Sequence, residues 1–163
     1  MVMSGNYCEF TRADAKGTGS AVRVNFEPCV HGFEGRFLFT IASQKTYSSS
    51  LDADGNPIAP TYWWDASLTV RLDKREMSQM LQVLRGMRES INDGKGLFHR
   101  SANANAVIKF VHQIDPAPGY LMSVSRKDIK SGEVVSRFFF FDCDDALALM
   151  LGCEQKFGQM MFG

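Results

Sequence analysis

From Val22 to Phe26 apolar and polar residues alternate, with Val22, Val24 and Phe26 on one side and Arg23 and Asn25 on the other. A period of two is the mark of a half-buried strand, because successive side chains of extended backbone point to opposite faces. The same period recurs in "GRFLFTIASQK" (35–45), "WWDASLTVRL" (63–72), "NAVIKFV" (105–111), "GYLMSVSRK" (119–127) and "EVVSRFFFF" (133–141). Two stretches switch to helical spacing. After Asp73, Met77, Met80, Leu81, Leu84 and Met87 form one apolar face, and Glu76 stands where the second half of a capping box belongs. After Asp142, Ala146, Leu149, Met150, Cys153, Phe157 and Met160 do the same, with Asp142, Asp144 and Asp145 where a helix dipole favours negative charge.

These elements repeat. "SAVRVNF" resembles "NAVIKFV", "GRFLFTIASQK" resembles "GYLMSVSRK", and each predicted helix follows a strand without a long loop. The strand offsets exceed the helix offset, and the long connection 46–61 set against the short "DIKSG" accounts for the difference. With "NYCEFTRA" and "GLFHRSA" as first strands, the chain reads as ββββα twice, over about 5–91 and 95–163, joined by "INDGKG" (91–96). The expected fold is α+β, one domain over 1–163, with two antiparallel four-stranded sheets and two helices. At 163 residues the chain is long enough to bury a full core.

"KGTGSAV" (16–22) raises the question of a phosphate-binding loop. Lys16 precedes both glycines and a strand follows, whereas a P-loop places its lysine after them and opens a helix, so a strand-entry turn is expected. Asp52, Asp54 and Asn56 hint at a calcium loop, but Trp63 falls where the bidentate acid belongs, and a hairpin tip is expected instead. Cys8, Cys29, Cys143 and Cys153 are too dispersed for a zinc or redox motif and read as buried free thiols. Cys29 and His31 lack further ligands nearby, and isolated His31 and His112 are read as structural. No metal, cofactor or catalytic constellation is expected, and hence no enzyme. No apolar run is long enough to cross a bilayer, and neither a signal nor a transit peptide is seen. An intracellular, cytoplasmic or nucleoid location is expected.

Lys plus Arg balances Asp plus Glu at 18 each, but the distribution is uneven. Residues 95–141 hold seven basic residues against three acids, and residues 142–163 hold four acids and one lysine. A protein that grips single strands without reading sequence needs cations for phosphates and rings for bases. Alternation places Arg23 with Asn25, Arg36 with Thr40 and Gln44, and Arg71 with Asp65, Ser67 and Thr69. In the second half it places Lys109 with Val107 and Val111, Lys127 with Ser123 and Ser125, and Arg137 with Phe139 and Phe141. Phe98, His99 and Arg100 set a ring, an imidazole and a cation side by side. Either ring could stack on a base, or Phe98 could be core with His99 at its edge. Lys45 and Trp63 flank the long connection, with Trp63 a stacking platform and Trp64 in the core. Phe138 to Phe141 must put two rings on each face. A polar sheet face bearing a few arginines is also what any half-buried sheet shows.

The tandem units, "KGTGSAV" at the second strand, "LFHRS" opening the second half and a C-terminal helix after a Phe-rich strand together resemble the Whirly single-stranded-DNA-binding proteins. They are similar also to the mitochondrial guide-RNA annealing proteins of the same fold. The resemblance covers residues 7–162; where the plant motif has a second lysine and two alanines, this chain has Thr18, Gly19, Ser20 and Ala21. It implies a homotetramer with central helices and outward sheets that bind single-stranded DNA with little sequence preference, in replication, recombination or repair, and it gives Lys16 a phosphate role. RNA binding with strand annealing, or an oligomeric protein-interaction module, are the alternatives.

Overall fold

The computed structural model describes residues 2–4, 7–30, 32–47 and 51–162. His31 and Ser48 to Ser50, part of the expected hairpin tip, lie outside the described residues. The strands are β1 (Val2–Ser4), β2 (Tyr7–Arg12), β3 (Ser20–Glu27), β4 (Arg36–Ser43), β5 (Leu68–Leu72), β6 (Leu97–Arg100), β7 (Ala104–Gln113), β8 (Gly119–Asp128) and β9 (Val134–Asp142). The helices are α1 (Lys74–Leu84) and α2 (Cys143–Phe162). The first sheet runs β1-β2-β3-β4-β5 and the second β6-β7-β8-β9, every pair antiparallel. The two expected four-stranded sheets are present, and β1 adds a short edge strand to the first.

Both helices start where sequence placed them, each behind an aspartate that accepts the N–H three residues on, and α1 adds the reciprocal bond. Asp73 accepts the N–H of Glu76 at 2.9 Å while Glu76 accepts that of Asp73 at 3.1 Å, so two otherwise orphaned donors are satisfied reciprocally. Asp142 accepts the N–H of Asp145 at 2.8 Å in the equivalent position. α1 is shorter than its apolar pattern suggests. It stops at Leu84, Gly86 takes a left-handed φ of 75°, and Met87 is left 72% exposed instead of completing the buried face.

The two sheets and two helices share one core. Phe10, Phe37, Phe39 and Ile41 of the first sheet, Phe110, Met122, Phe139 and Phe141 of the second, Met77 and Met80 of α1, and Leu149 and Cys153 of α2 form one contiguous cluster. Phe141 joins the halves by meeting Phe10 edge-on at 5.5 Å between ring centroids, and packs on Phe139 of its own strand at 4.7 Å. Of the four thiols only Cys153 is buried, and burial pushes it up to about 12; Cys8 is half-buried against the edge of the core, Cys29 is half-buried in the loop after β3, and Cys143 is exposed at the start of α2. No helix among the described residues is long and apolar enough to cross a membrane.

Candidate nucleic-acid interface

The glycine-lysine segment is a turn entering β3. The Asp14 carboxylate accepts the N–H groups of Lys16 and Thr18 at 2.9 Å each and the Thr18 hydroxyl, which together hold it below the usual carboxylate range. Gly17 has φ 74°, and a Cβ on Gly19 would lie 2.0 Å from the Arg12 carbonyl, so neither site accepts a larger residue without strain. Buried Gln44 braces the turn: its carbonyl accepts the N–H of Asp14 and of Gly19, and its amide donates to the carbonyls of Asp14 and Thr46. The turn amides are therefore spent on side chains of the protein, and Lys16 projects exposed from the loop.

The outer face of the first sheet is covered over Arg23, while Thr69 and Arg71 at its β5 edge stay exposed. In register across it lie Tyr7, Asn25, Leu38 and Arg71, and beside them Glu9, Arg23, Thr40 and Thr69. Arg23 is paired to Glu9 at 2.8 Å, and its guanidinium lies 3.7 Å from the Trp64 ring centroid and 4.7 Å from that of Tyr7. Trp64 is thus half-buried over the outer face and is not in the core. It belongs to a short helical turn, Trp64–Ala66, and β5 begins only at Leu68, which takes Asp65 out of the strand alternation. Trp63 is exposed, with the Lys45 ammonium 4.5 Å from its ring centroid.

The outer face of the second sheet is open. Phe98 aligns with Val107, Ser125 and Ser136; Lys109 with Ser123 and Phe138; Val111 with Leu121 and Phe140; and Arg100 with Asn105, Lys127 and Val134. Phe98 is 63% exposed and Phe138 54%, which removes Phe98 from the core. Phe140 is half-buried beneath the guanidinium of Arg12 at 5.1 Å. Phe139 and Phe141 face inward, so the four-phenylalanine run divides two and two.

Two residues singled out in sequence face inward. Arg137 shares the core side with Phe139, as alternation requires, but there it donates to the Ala66 carbonyl at 2.9 Å and the Ser136 carbonyl at 2.8 Å. It therefore ties the second sheet to the first and is withdrawn from the outer face. Its buried Nε has no partner among the described residues and borders a cavity of about 120 Å³, room enough for water. His99 turns its Nε2 to Glu76 at 2.5 Å, and that hydrogen bond holds the imidazole above its usual range against partial burial.

Between the edge strands β5 and β6 the sheets diverge into a cleft of about 730 Å³, lined by Arg36, Arg71, Arg100 and Arg126 with Phe98 and His99. Arg126 was not singled out in sequence. Its parity with Val124 marked it as inward, and only the divergence of the sheets gives an inward residue near a strand end access to solvent.

No protein-family model matches the sequence, and no curated protein matches it. Solved structures do. A crystal structure of WHY1 from Arabidopsis thaliana is similar over 98% of this chain and 88% of its own, at 15% identity and a TM-score of 0.68. The plant transcriptional regulator PBF-2 matches over 98% and 85%, at 13% identity and a TM-score of 0.65. A guide-RNA-binding protein complex bound to a guide RNA matches over 93% and 89%, at 17% identity and a TM-score of 0.58. Nearly the whole chain is thus superimposable on proteins of little sequence likeness, and its fold is Whirly-like.

Proposed function

We propose that this protein binds single-stranded nucleic acid across the outer face of its second sheet, with single-stranded DNA as the main ligand and little sequence preference. The carrying observation is that this face exposes Phe98 and Phe138 among Lys109, Lys127 and Arg100, with Lys109 and Phe138 in one row of the register and Arg100 and Lys127 in another. Every base has a π-face and every nucleotide a phosphate, so such a surface holds unpaired strands of any sequence, while duplex bases are already stacked. Lys16, in the turn whose Gly17 and Thr18 line a cavity with Ser136 and Phe138 of β9, and the Lys45–Trp63 pair are further contacts in this reading. Arg23 and Arg137 are engaged within the fold instead. The process is one that exposes single strands: replication, recombination or repair.

The likeness to a protein complex bound to a guide RNA favours RNA as the second reading. Fluorescence anisotropy with labelled oligothymidylate, its duplex and a matched oligouridylate tests both. Tight binding of the first with weak binding of the duplex supports the proposal. Equal affinity for duplex removes it, and preference for oligouridylate favours RNA.

We read the protein further as a homotetramer joined through its helices. Leu147 and Leu151, one turn apart on α2, are exposed on the side away from Ala146, Leu149 and Cys153, which supports helix-to-helix association. Light scattering checks the mass, and Leu147→Glu with Leu151→Glu is expected to yield monomers.

A further inference from the structure

The cleft between β5 and β6 differs in chemistry from the outer face of the second sheet. Arg36, Arg71, Arg100 and Arg126 come from four strands of both sheets, and none pairs with an acid or donates a side-chain hydrogen bond among the described residues. Five of the other arginines are so engaged, Arg12 to Asp142, Arg23 to Glu9, Arg85 to Glu154, Arg88 to Gln79 and Arg137 to the Ala66 carbonyl, while Arg75 on α1 is not. Two acids line the cleft against its four arginines, so an excess of positive charge remains, and neither acid forms an ion pair with an arginine among the described residues. Asp73 and Glu76 bond each other's backbone N–H groups at the start of α1, and Glu76 gives its remaining oxygen to His99. Four unpaired guanidiniums around one recess repel one another, and an anion entering it relieves that repulsion. Guanidinium forks match phosphate oxygens, two bonds at a time. The volume of about 730 Å³ suits a small molecule, and Phe98 at the mouth offers a ring to a base.

We propose that this cleft is a second site, selective for a nucleoside monophosphate, whether free or as the phosphorylated end of a strand. It stands apart from the outer face, since β6 separates the two and only Phe98 and Arg100 border both.

Calorimetric titration of the full chain at low ionic strength with thymidine 5′-monophosphate, and with thymidine as the phosphate-free control, tests the site. The monophosphate is expected to bind and thymidine not. Arg71→Glu with Arg126→Glu is expected to weaken monophosphate binding more than about tenfold, the size of losing a charged hydrogen-bond pair. Arg71→Gln with Arg126→Gln guards against a folding effect of the reversed charges, and circular dichroism checks both. Equal affinity for thymidine and its monophosphate, or unaltered binding by the glutamine variant, overturns the proposal. Tighter binding of 5′-phosphorylated than of 5′-hydroxyl oligothymidylate identifies strand ends as the source. Equal binding of the two, with the monophosphate still bound, identifies the free nucleotide. Oligonucleotide binding by Lys109→Glu reports on the outer face alone, so the two sites can fail separately.

Discussion

Apart from the short edge strand β1 the two sheets have the same strand order, and a helix follows the last strand of each, yet one outer face is covered over its centre and the other open. The cause is the connection between the third and fourth strands of each repeat. In the first, the chain returns from its long excursion by pairing Lys45 N–H with the Thr61 carbonyl and Trp63 N–H with that of Ser43, which carries Trp64 over Arg23. In the second, β8 passes to β9 through a tight turn in which Gly132 N–H bonds the Asp128 carbonyl, and no residues remain to cover Phe98, Lys109 and Phe138. One duplicated frame thus yields a surface that supports itself and a surface left exposed. The length of one loop decides which is which.

The sharpest test of that asymmetry uses neighbours on opposite faces of β9. Phe139→Ala is expected to cost about 3–5 kcal/mol in urea denaturation, as for a buried ring, and Phe138→Ala to stay within about 0.5 kcal/mol. In oligothymidylate anisotropy the order reverses. Phe138→Ala and Lys109→Glu should each weaken binding about tenfold, the size of one lost stacking or phosphate contact. Arg23→Ala on the first sheet should lower stability and leave affinity unchanged; a loss of affinity there would erase the distinction between the faces. Next in size are the helix caps: Asp73→Ala and Asp142→Ala should each cost about 1 kcal/mol, and a large difference between them would break the equivalence of the repeats.

The smallest effect is that of pH. Folding raises the His99 pKa through Glu76, so this pair contributes its full stability below the unfolded value of about 6.5 and loses it as pH rises through the higher folded value. His99→Gln should flatten that part of the thermal-stability profile. A slope that survives the substitution assigns it to another group.

What was legible in sequence is what local physics dictates. Capping carboxylates marked both helix starts, alternation assigned the faces, and the mismatch between repeat offsets located the long connection. What was not legible depends on how distant parts meet. Alternation put Arg137 beside Phe139, but nothing in sequence said that Ala66 would supply its carbonyl. Trp64 reads as core by size, and its cover over Arg23 follows from the path of a loop that carries no periodicity. Met87 fits the helical spacing of α1, and Gly86 ends the helix before that spacing can act. Arg126 needed the separation of two sheets to reach solvent.

The brace formed by Gln44 has a consequence for variation. A single carboxamide makes four bonds that hold the first-repeat turn in shape whether or not anything is bound. The tip can therefore change its chemistry at Lys16 or Ala15, while Gln44, Asp14, Gly17 and Gly19 stay fixed as the frame. For an engineer this is a ready socket, a place where new specificity can be installed without renegotiating the fold.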